Sequence, residues 1–382
     1  ACLVSCRSYE EYVNAELAAQ LDFNPLSFLH ILKPAYTNQE SVSFEKRYRQ
    51  VAQKYHDFKN ENILVKDKKP AIYIHKIVNK SQSYTGLNVG TSINDYRSNV
   101  IKKHEDILEF RVSLLKDYMK YSEFNTEPVL ITYPDNKVIE DWIYNCTQKL
   151  ADFEFSTTKK EIHYLWKIDD ALELKWIQNI FEKIESLYIA DGHHRTEATK
   201  LLSEENASSQ FSEKDFLLSY LISEINVKIF EFNRLVKDLN GLSKVEFLHK
   251  LSEIFILENK DQQPYTPTEK HHFGMYLDNQ FYSLILKTEN CSFKNTLDAL
   301  DTQILYKKVL LPILGIEDLR NDERIEYLTG KQPIIEIKQQ IDSGEFEVAF
   351  MMFPSNIEEI KDLADNNLIM PPKSTYIEPK FR

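Results

Sequence analysis

Only eight glycines are spread through 382 residues. None stands in Gly-x-Gly-x-x-Gly or Gly-x4-Gly-Lys-Ser/Thr order, so both common glycine-rich phosphate cradles are absent and any phosphate must be held another way. Cysteine is equally scarce. Of Cys2, Cys6, Cys146 and Cys291, only the first two lie close enough to share a ligand or a bridge. One Cys-x3-Cys pair without a second Cys or His pair at zinc-like spacing does not make a structural metal site. A chain of this length builds a core without disulfides, and the thiols fit a reducing cytoplasm. No run approaches the ~18 apolar residues that a membrane span requires; Phe216 to Ile222 and Val309 to Ile316 are strand- or helix-sized. The opening segment lacks a basic stretch followed by an apolar one, so no signal peptide and a trimmed start are expected.

Positive charge is also in deficit. Lys plus Arg number 47 against 59 Asp plus Glu, a formal charge of -12. The charges are interspersed, and the few lysine clusters, Lys66 to Lys69 and Lys102-Lys103, sit among acids. Duplex binding draws its non-specific affinity from cationic contacts to phosphates, so nucleic acid is not an expected partner. A small anion in a local pocket is compatible with this balance.

Residues 11–20 and 43–58 read as helices, the second with Phe44, Tyr48, Val51 and Tyr55 at helical spacing. Alternation over Ala71 to Val78, a turn at Lys80-Ser81-Gln82-Ser83 and a second run from Tyr84 to Val89 predict a hairpin. A polar helix over 107–121 follows, then strands at Val129 to Tyr133 and His163 to Ile168, building a mixed sheet. Leu172 to Ile184 has helical periodicity, Leu187 to Ala190 reads as a buried strand, and Thr196 to Glu205 reads as a helix. The polar stretch from Ser203 to Lys214 places a break near residue 206. Beyond it come strands (Phe216 to Ser223, Val227 to Phe232, Phe273 to Leu277, Phe281 to Leu286) and helices (Lys244 to Ile254, Thr296 to Leu310, Ile357 to Asp365). With no repeat and no low-complexity linker, regions 1–205 and 206–382 are expected to pack closely.

This reading sets Asp191-Gly192-His193-His194-Arg195 where a strand stops and a helix begins, the end of an α/β sheet at which ligands usually sit. Such a turn offers backbone N–H groups and the positive end of the helix dipole to a phosphate. Gly192 allows close backbone approach, and His193, His194 and Arg195 add donors, Arg195 with a two-pronged grip. A carboxylate beside a phosphate is tolerated chiefly when it binds Mg2+ or orients a cationic neighbour, so Asp191 is a candidate for either role. The alternative is a capping Asp191 and histidines that satisfy local backbone groups. His193 and His194 diverge by about 100° in a first helical turn, so one of them faces the phosphate. Lys102-Lys103-His104-Glu105-Asp106 supplies a carboxylate able to act as a base, although such a run also reads as a solvated face. Met370-Pro371-Pro372-Lys373-Ser374-Thr375 presents Lys373 on a stiff loop. His271-His272 and Phe232-Asn233-Arg234 are further candidates, each more often structural.

The run Tyr188 to Arg195 resembles the signature of domain-of-unknown-function family 1015, whose members are similar to ParB and sulfiredoxin-like free serine kinases. Asn24 to His30, Ile101 to Glu105, Pro128 to Tyr133, Phe232 to Arg234, Pro312 to Ile316 and Met370 to Thr375 match family motifs in the family's order. The resemblance covers nearly the whole chain. It implies an α/β (mixed α+β) fold with a ParB/sulfiredoxin-like nucleotide-binding sheet over 1–205 and a C-terminal α+β region packed against it. It also implies phosphate transfer from ATP or ADP, with Mg2+, to the hydroxyl of a free amino acid, serine first. Glu105 is then the base by matching motif, and the Asp-Gly-His-His-Arg turn holds the nucleotide. Asp191 and His193 are assigned to catalysis and Gly192, His193, His194, Arg195 and Lys103 to phosphate. His104, Asn233, Arg234 and Lys373 are assigned to substrate or support. The chain departs from the family in starting without its usual first strand and in stopping at Lys380-Phe381-Arg382, where relatives continue briefly, so both ends are expected to be truncated.

Two other classes compete. His193 and Glu197 at i, i+4 with Asp191 suggest a metal-dependent hydrolase. A ParB-like fold also permits a non-catalytic nucleotide sensor, while the absence of a basic recognition helix argues against a DNA-binding one.

Overall fold

The computed structural model describes all residues except 1, 2, 8, 10, 11, 37–41, 81, 158, 159, 206–212 and 382. Cys2, Ser81 of the expected hairpin turn and the expected break near 206 therefore lie outside the described residues. Contacts divide the chain into two units. The first takes residues 1–102, 107–227 and the segment from Pro379 on; the second takes 103–106 and 228–378. No helix among the described residues is long and apolar enough to cross a membrane.

The first unit runs α1 (Asn14–Phe23), α2 (Leu29–Tyr36), α3 (Phe44–Asn60), β1 (Ile72–Val78), β2 (Ser83–Ser92), α4 (Ile93–Arg97), β3 (Ile101–Lys102) and α5 (Glu109–Ser122). It continues with β4 (Val129–Tyr133), α6 (Lys137–Thr147), β5 (Phe153–Ser156), β6 (Ile162–Ile168), α7 (Ala171–Phe181), β7 (Leu187–Asp191), α8 (His193–Glu205) and β8 (Phe216–Ser223). Local chemistry sets the helix starts: Ser43, Asn136 and Asp170 each accept backbone N–H groups of the turn that follows, at α3, α6 and α7. The eight strands form one mixed sheet in the order β3-β7-β4-β8-β2-β1-β6-β5. Pairs β3–β7 and β4–β8 are parallel and the others antiparallel. Its core includes Ile74, Leu87, Ile131, Tyr133, Ile189 and Leu221. Helix α8 packs on α5, α5 on α3 and α3 on α2.

The second unit contains β9 (Lys228–Phe230), β10 (Phe232–Val236), α9 (Lys244–Ile254), β11 (Phe255–Asn259), β12 (His272–Leu277), β13 (Gln280–Leu286) and α10 (Asp301–Leu305). Then come β14 (Ile325–Thr329), α11 (Ile334–Asp342), β15 (Val348–Met351), α12 (Ile357–Asp365) and β16 (Tyr376–Glu378). A fully antiparallel sheet has the order β11-β13-β12-β15-β10-β14, and β9 pairs separately with β16. Phe247, Phe255, Phe273, Val348 and Phe350 lie in its core.

The mixed α+β class expected from sequence is the one found. Four elements differ in detail. Phe216–Ser223, read as the start of the second region, is β8, set between β4 and β2 in the first sheet. Val227 to Phe232, read as one strand, is divided between β9 and β10, which lie in different sheets. The helix read over Thr296 to Leu310 begins at Asp301 and widens to a π-helical turn over Tyr306–Leu310. Helix α8 begins at His193 rather than Thr196, because the Thr196 N–H already bonds the Gly192 carbonyl.

Candidate functional site

Strand β7 is buried from Leu187 to Ala190 and opens at Asp191. Its register against β4 gains one residue there: Ile189 faces Ile131 while Asp191 faces Leu130. Such a bulge re-aims the side chain beyond it. Gly192 then turns the chain at φ +101°. A Cβ on it would come within 2.9 Å of Arg195 Nη2 and 3.0 Å of Val129 Cγ2. Glycine thus serves both backbone conformation and close packing at this position.

The next turn of chain is the start of α8, where the leading N–H groups of a helix have no intrahelical acceptor. His193 and His194 diverge as a helix requires. His193 is buried, 2 % exposed. His194 is half-buried, and its Nε2 accepts the Leu108 N–H at 3.0 Å, so His194 fixes the entry to α5. The expectation that it is a phosphate ligand meets a side chain already engaged with local backbone.

Asp191 does not act as an isolated carboxylate. Arg195 Nη2 donates to its Oδ2 at 3.0 Å, and Lys380 Nζ donates to its Oδ1. Arg195 Nη1 donates to Glu127, which precedes β4 beside the end of β7. Two carboxylates and two cations therefore alternate, Glu127, Arg195, Asp191, Lys380, with side chains one-fifth to one-third exposed. Of the two roles expected for Asp191, orienting a cation is the one this geometry carries. Mg2+ fits poorly at Asp191, since both of its oxygens face cations, and among the described residues no three His, Cys, Asp or Glu side chains cluster at metal-holding distance.

The grouping of Asp191, His193 and Glu197 as a hydrolytic metal centre fails on the same ground. Tyr96 Oη donates to Glu197 Oε2 at 2.9 Å and Lys200 Nζ to Oε1 at 2.8 Å. Burial and the charge of Glu197 raise the Tyr96 hydroxyl far above its ordinary range. Arg195 and Glu127 also form part of the wall of a cavity of about 810 Å3, otherwise mostly apolar and aromatic, with Phe28, Leu32, Tyr48 and Tyr118 among its lining.

The other sequence candidates belong to the second unit. Lys103 is exposed, His104 is fully buried and Glu105 is half-buried. The His104 carbonyl accepts the Met370 N–H at 2.9 Å, and Asp106 pairs with Arg320 at 3.1 Å. This ties 103–106 to the Met370–Thr375 loop. Arg234, 2 % exposed, donates to the carbonyls of Phe232 and Lys373 and faces the Tyr327 ring at 5.6 Å. Burial lowers its guanidinium to about 10. Asn233 Oδ1 accepts the Met352 N–H at 3.0 Å, and Ser374 Oγ donates to the Pro371 carbonyl and lies 3.2 Å from Thr302 Oγ1. The Lys373 backbone takes φ +55° and its ammonium lies 5.3 Å from the Phe232 ring. Arg234 therefore supports this loop and Asn233 the chain just after β15, and His271 likewise has a backbone task, its N–H donating to Asp301 at 2.9 Å.

Sequence reasoning missed Glu127, Tyr96 and Lys380. Nothing in the local pattern around them points to the turn, because each arrives there through the fold.

The sequence pattern of the family described as a protein of unknown function, DUF1015, matches residues 1–303, and the chain belongs to that family. No curated protein matches it. Among solved structures, a free serine kinase variant in complex with ADP is 12 % identical, with 83 % of this chain and 93 % of that one covered and a TM-score of 0.39. A conserved hypothetical protein from Pyrococcus furiosus is 12 % identical, covering 80 % and 94 %, with a TM-score of 0.37. SbnI with C-terminal truncation from Staphylococcus aureus is 11 % identical, covering 77 % and 84 %, with a TM-score of 0.39.

Proposed function

We propose that this protein is a nucleotide-dependent kinase that phosphorylates the hydroxyl of a free amino acid, with L-serine the first candidate. The observation that carries the reading is the turn itself: a bulged strand end, a glycine at φ +101° and a helix start beside Arg195. That combination suits a phosphate group. The cavity beside Arg195 and Glu127 gives an anchored ligand room for its organic part. The motif resemblance described above supplies Glu105 as general base.

In the reaction the substrate hydroxyl attacks the terminal phosphorus of ATP or ADP. A new O–P bond forms, the bridging P–O bond breaks, and Glu105 accepts the hydroxyl proton. Arg195 and the N–H groups at the start of α8 stabilise charge on the transferring group. Asp191 positions Arg195, and His194 holds α5 in place. Mg2+, if it accompanies the nucleotide, supplies charge neutralisation on the phosphates. By sequence position the base and the turn both fall within the region 1–205, to which we assign this work.

Phosphorus NMR and mass spectrometry on the full chain with Mg2+, ATP or ADP and a pool of hydroxyl amino acids test the reading. Phosphoserine in the wild type and its loss in Glu105→Gln are expected. Nucleotide binding without any phosphorylated product would replace the kinase with a nucleotide sensor.

A further inference from the structure

We propose that Lys380 is a phosphate-binding residue of the Asp191 turn, held on Asp191 until an anion arrives and then donating to the phosphate. This rests on the phosphate reading given above and adds to it a ligand from the far end of the chain. Lys380 lies 189 residues from Asp191 in sequence. It reaches the turn because the chain, after β16 in the second unit, rejoins the first unit at Pro379.

Charge gives the first argument. Among the described residues, Glu127 and Asp191 against Arg195 would leave the turn with a net negative charge, and a phosphate would meet repulsion. Lys380 brings the cluster to neutrality, and the helix start then tips the balance toward an anion. Anchoring gives the second. The Phe381 ring lies 4.3 Å from that of Tyr220 and 6.0 Å from that of His75, so the backbone carrying Lys380 is packed on the sheet. Access gives the third: the Lys380 and Asp191 side chains retain 24 % and 33 % exposure, open to a ligand from solvent. Asp191, with one cation on each oxygen, then serves as the holder that aims both Arg195 and Lys380.

The test is calorimetric titration of the 382-residue chain with ADP and with inorganic phosphate. The variants are Lys380→Met, Asp191→Asn and the two combined. A charged hydrogen bond to phosphate predicts roughly 10- to 100-fold weaker ADP binding in Lys380→Met. The double variant should stay weak. Wild-type affinity in Lys380→Met, or its recovery in the double variant, would show that Lys380 only neutralises Asp191, and would overturn the proposal. A readout on the wild type covers the case in which the methionine variant does not fold: ADP should slow acylation of Lys380 by an amine-reactive reagent, and an unchanged rate overturns the proposal. If the wild type binds neither ADP nor phosphate, the phosphate reading itself falls, which separates that failure from a failure of Lys380 alone.

Discussion

Acidification should destabilise the first unit through one buried pair of histidines. His75 on β1 and His163 on β6 face each other across the antiparallel register His75↔Leu165, with Nε2 of the first 2.9 Å from Nδ1 of the second. Asn88 Nδ2 lies 3.3 Å from His75 Nδ1. The amide is the donor there, so His75 carries its proton on Nε2 and gives it to His163. Phe155 stacks on His163 at 4.8 Å, while Tyr220 and Phe381 flank His75. Among the described residues, an added proton on His75 Nδ1 or His163 Nδ1 meets a donor in this arrangement and not an acceptor. Burial, and then the neighbouring His163, lower His75 from 6.5 to about 3, and burial lowers His163 as well. A histidine lowered in the folded state binds protons more readily when unfolded. Its contribution is present in full above pH 6.5 and is lost as pH falls toward the folded value. At pH 4.5, two pH units below the unfolded value, the loss is about 2.7 kcal/mol. All three tryptophans, Trp142, Trp166 and Trp176, lie in the first unit, so urea unfolding followed by tryptophan fluorescence reads that unit alone. The stability difference between wild type and His75→Gln should change by about that amount between pH 7.5 and 4.5, against the wild type. A difference that stays constant within about 0.5 kcal/mol over that range would refute the claim that His75 is held neutral.

Gly192→Ala should destabilise the first unit by about 1–3 kcal/mol from backbone strain at φ +101°, read in the same fluorescence assay. Because the new methyl would displace the Arg195 guanidinium, ADP affinity should fall with it. In the second unit, burial raises the Asp301 carboxyl from 3.8 to about 7. A raised carboxyl destabilises the fold progressively as pH climbs from 3.8 to 7, by at most about 4 kcal/mol. Asp301→Asn, which keeps an acceptor for the His271 N–H, should therefore gain stability over wild type with rising pH in calorimetric unfolding and equal it near pH 3.5.

Much of the first sheet was legible because its strands obey simple patterns. The hairpin read over Ala71 to Val89 is β1 and β2, and Val129 to Tyr133, His163 to Ile168 and Leu187 to Ala190 fall on β4, β6 and β7. Helix α6 has no counterpart in the sequence reading although Asn136 caps it, since Pro134-Asp135-Asn136 has turn composition as well. Helix α2 was hidden by Pro34 within it. Polarity after Ser203 carries no sign that β8, beyond it, pairs with both β4 and β2 in the first sheet. At the turn, residue types and spacing located Asp191 to Arg195, but the partners of Asp191 could not be read locally. Lys380 and Glu127 meet the turn only through a returning segment and a neighbouring strand.

Neither unit is one stretch of chain. The first lacks 103–106 and regains its last piece only at Pro379, and the second begins with four residues inserted before α5. On the ribosome, the sheet bearing the Asp191 turn emerges long before Lys380 does, so its charge cluster stays incomplete until the second unit has been synthesised. A cut at residue 227 would yield a first fragment with every strand of its sheet but without the cation that balances Glu127 and Asp191. The order of synthesis thus completes the charge cluster at the Asp191 turn only after the strands around it.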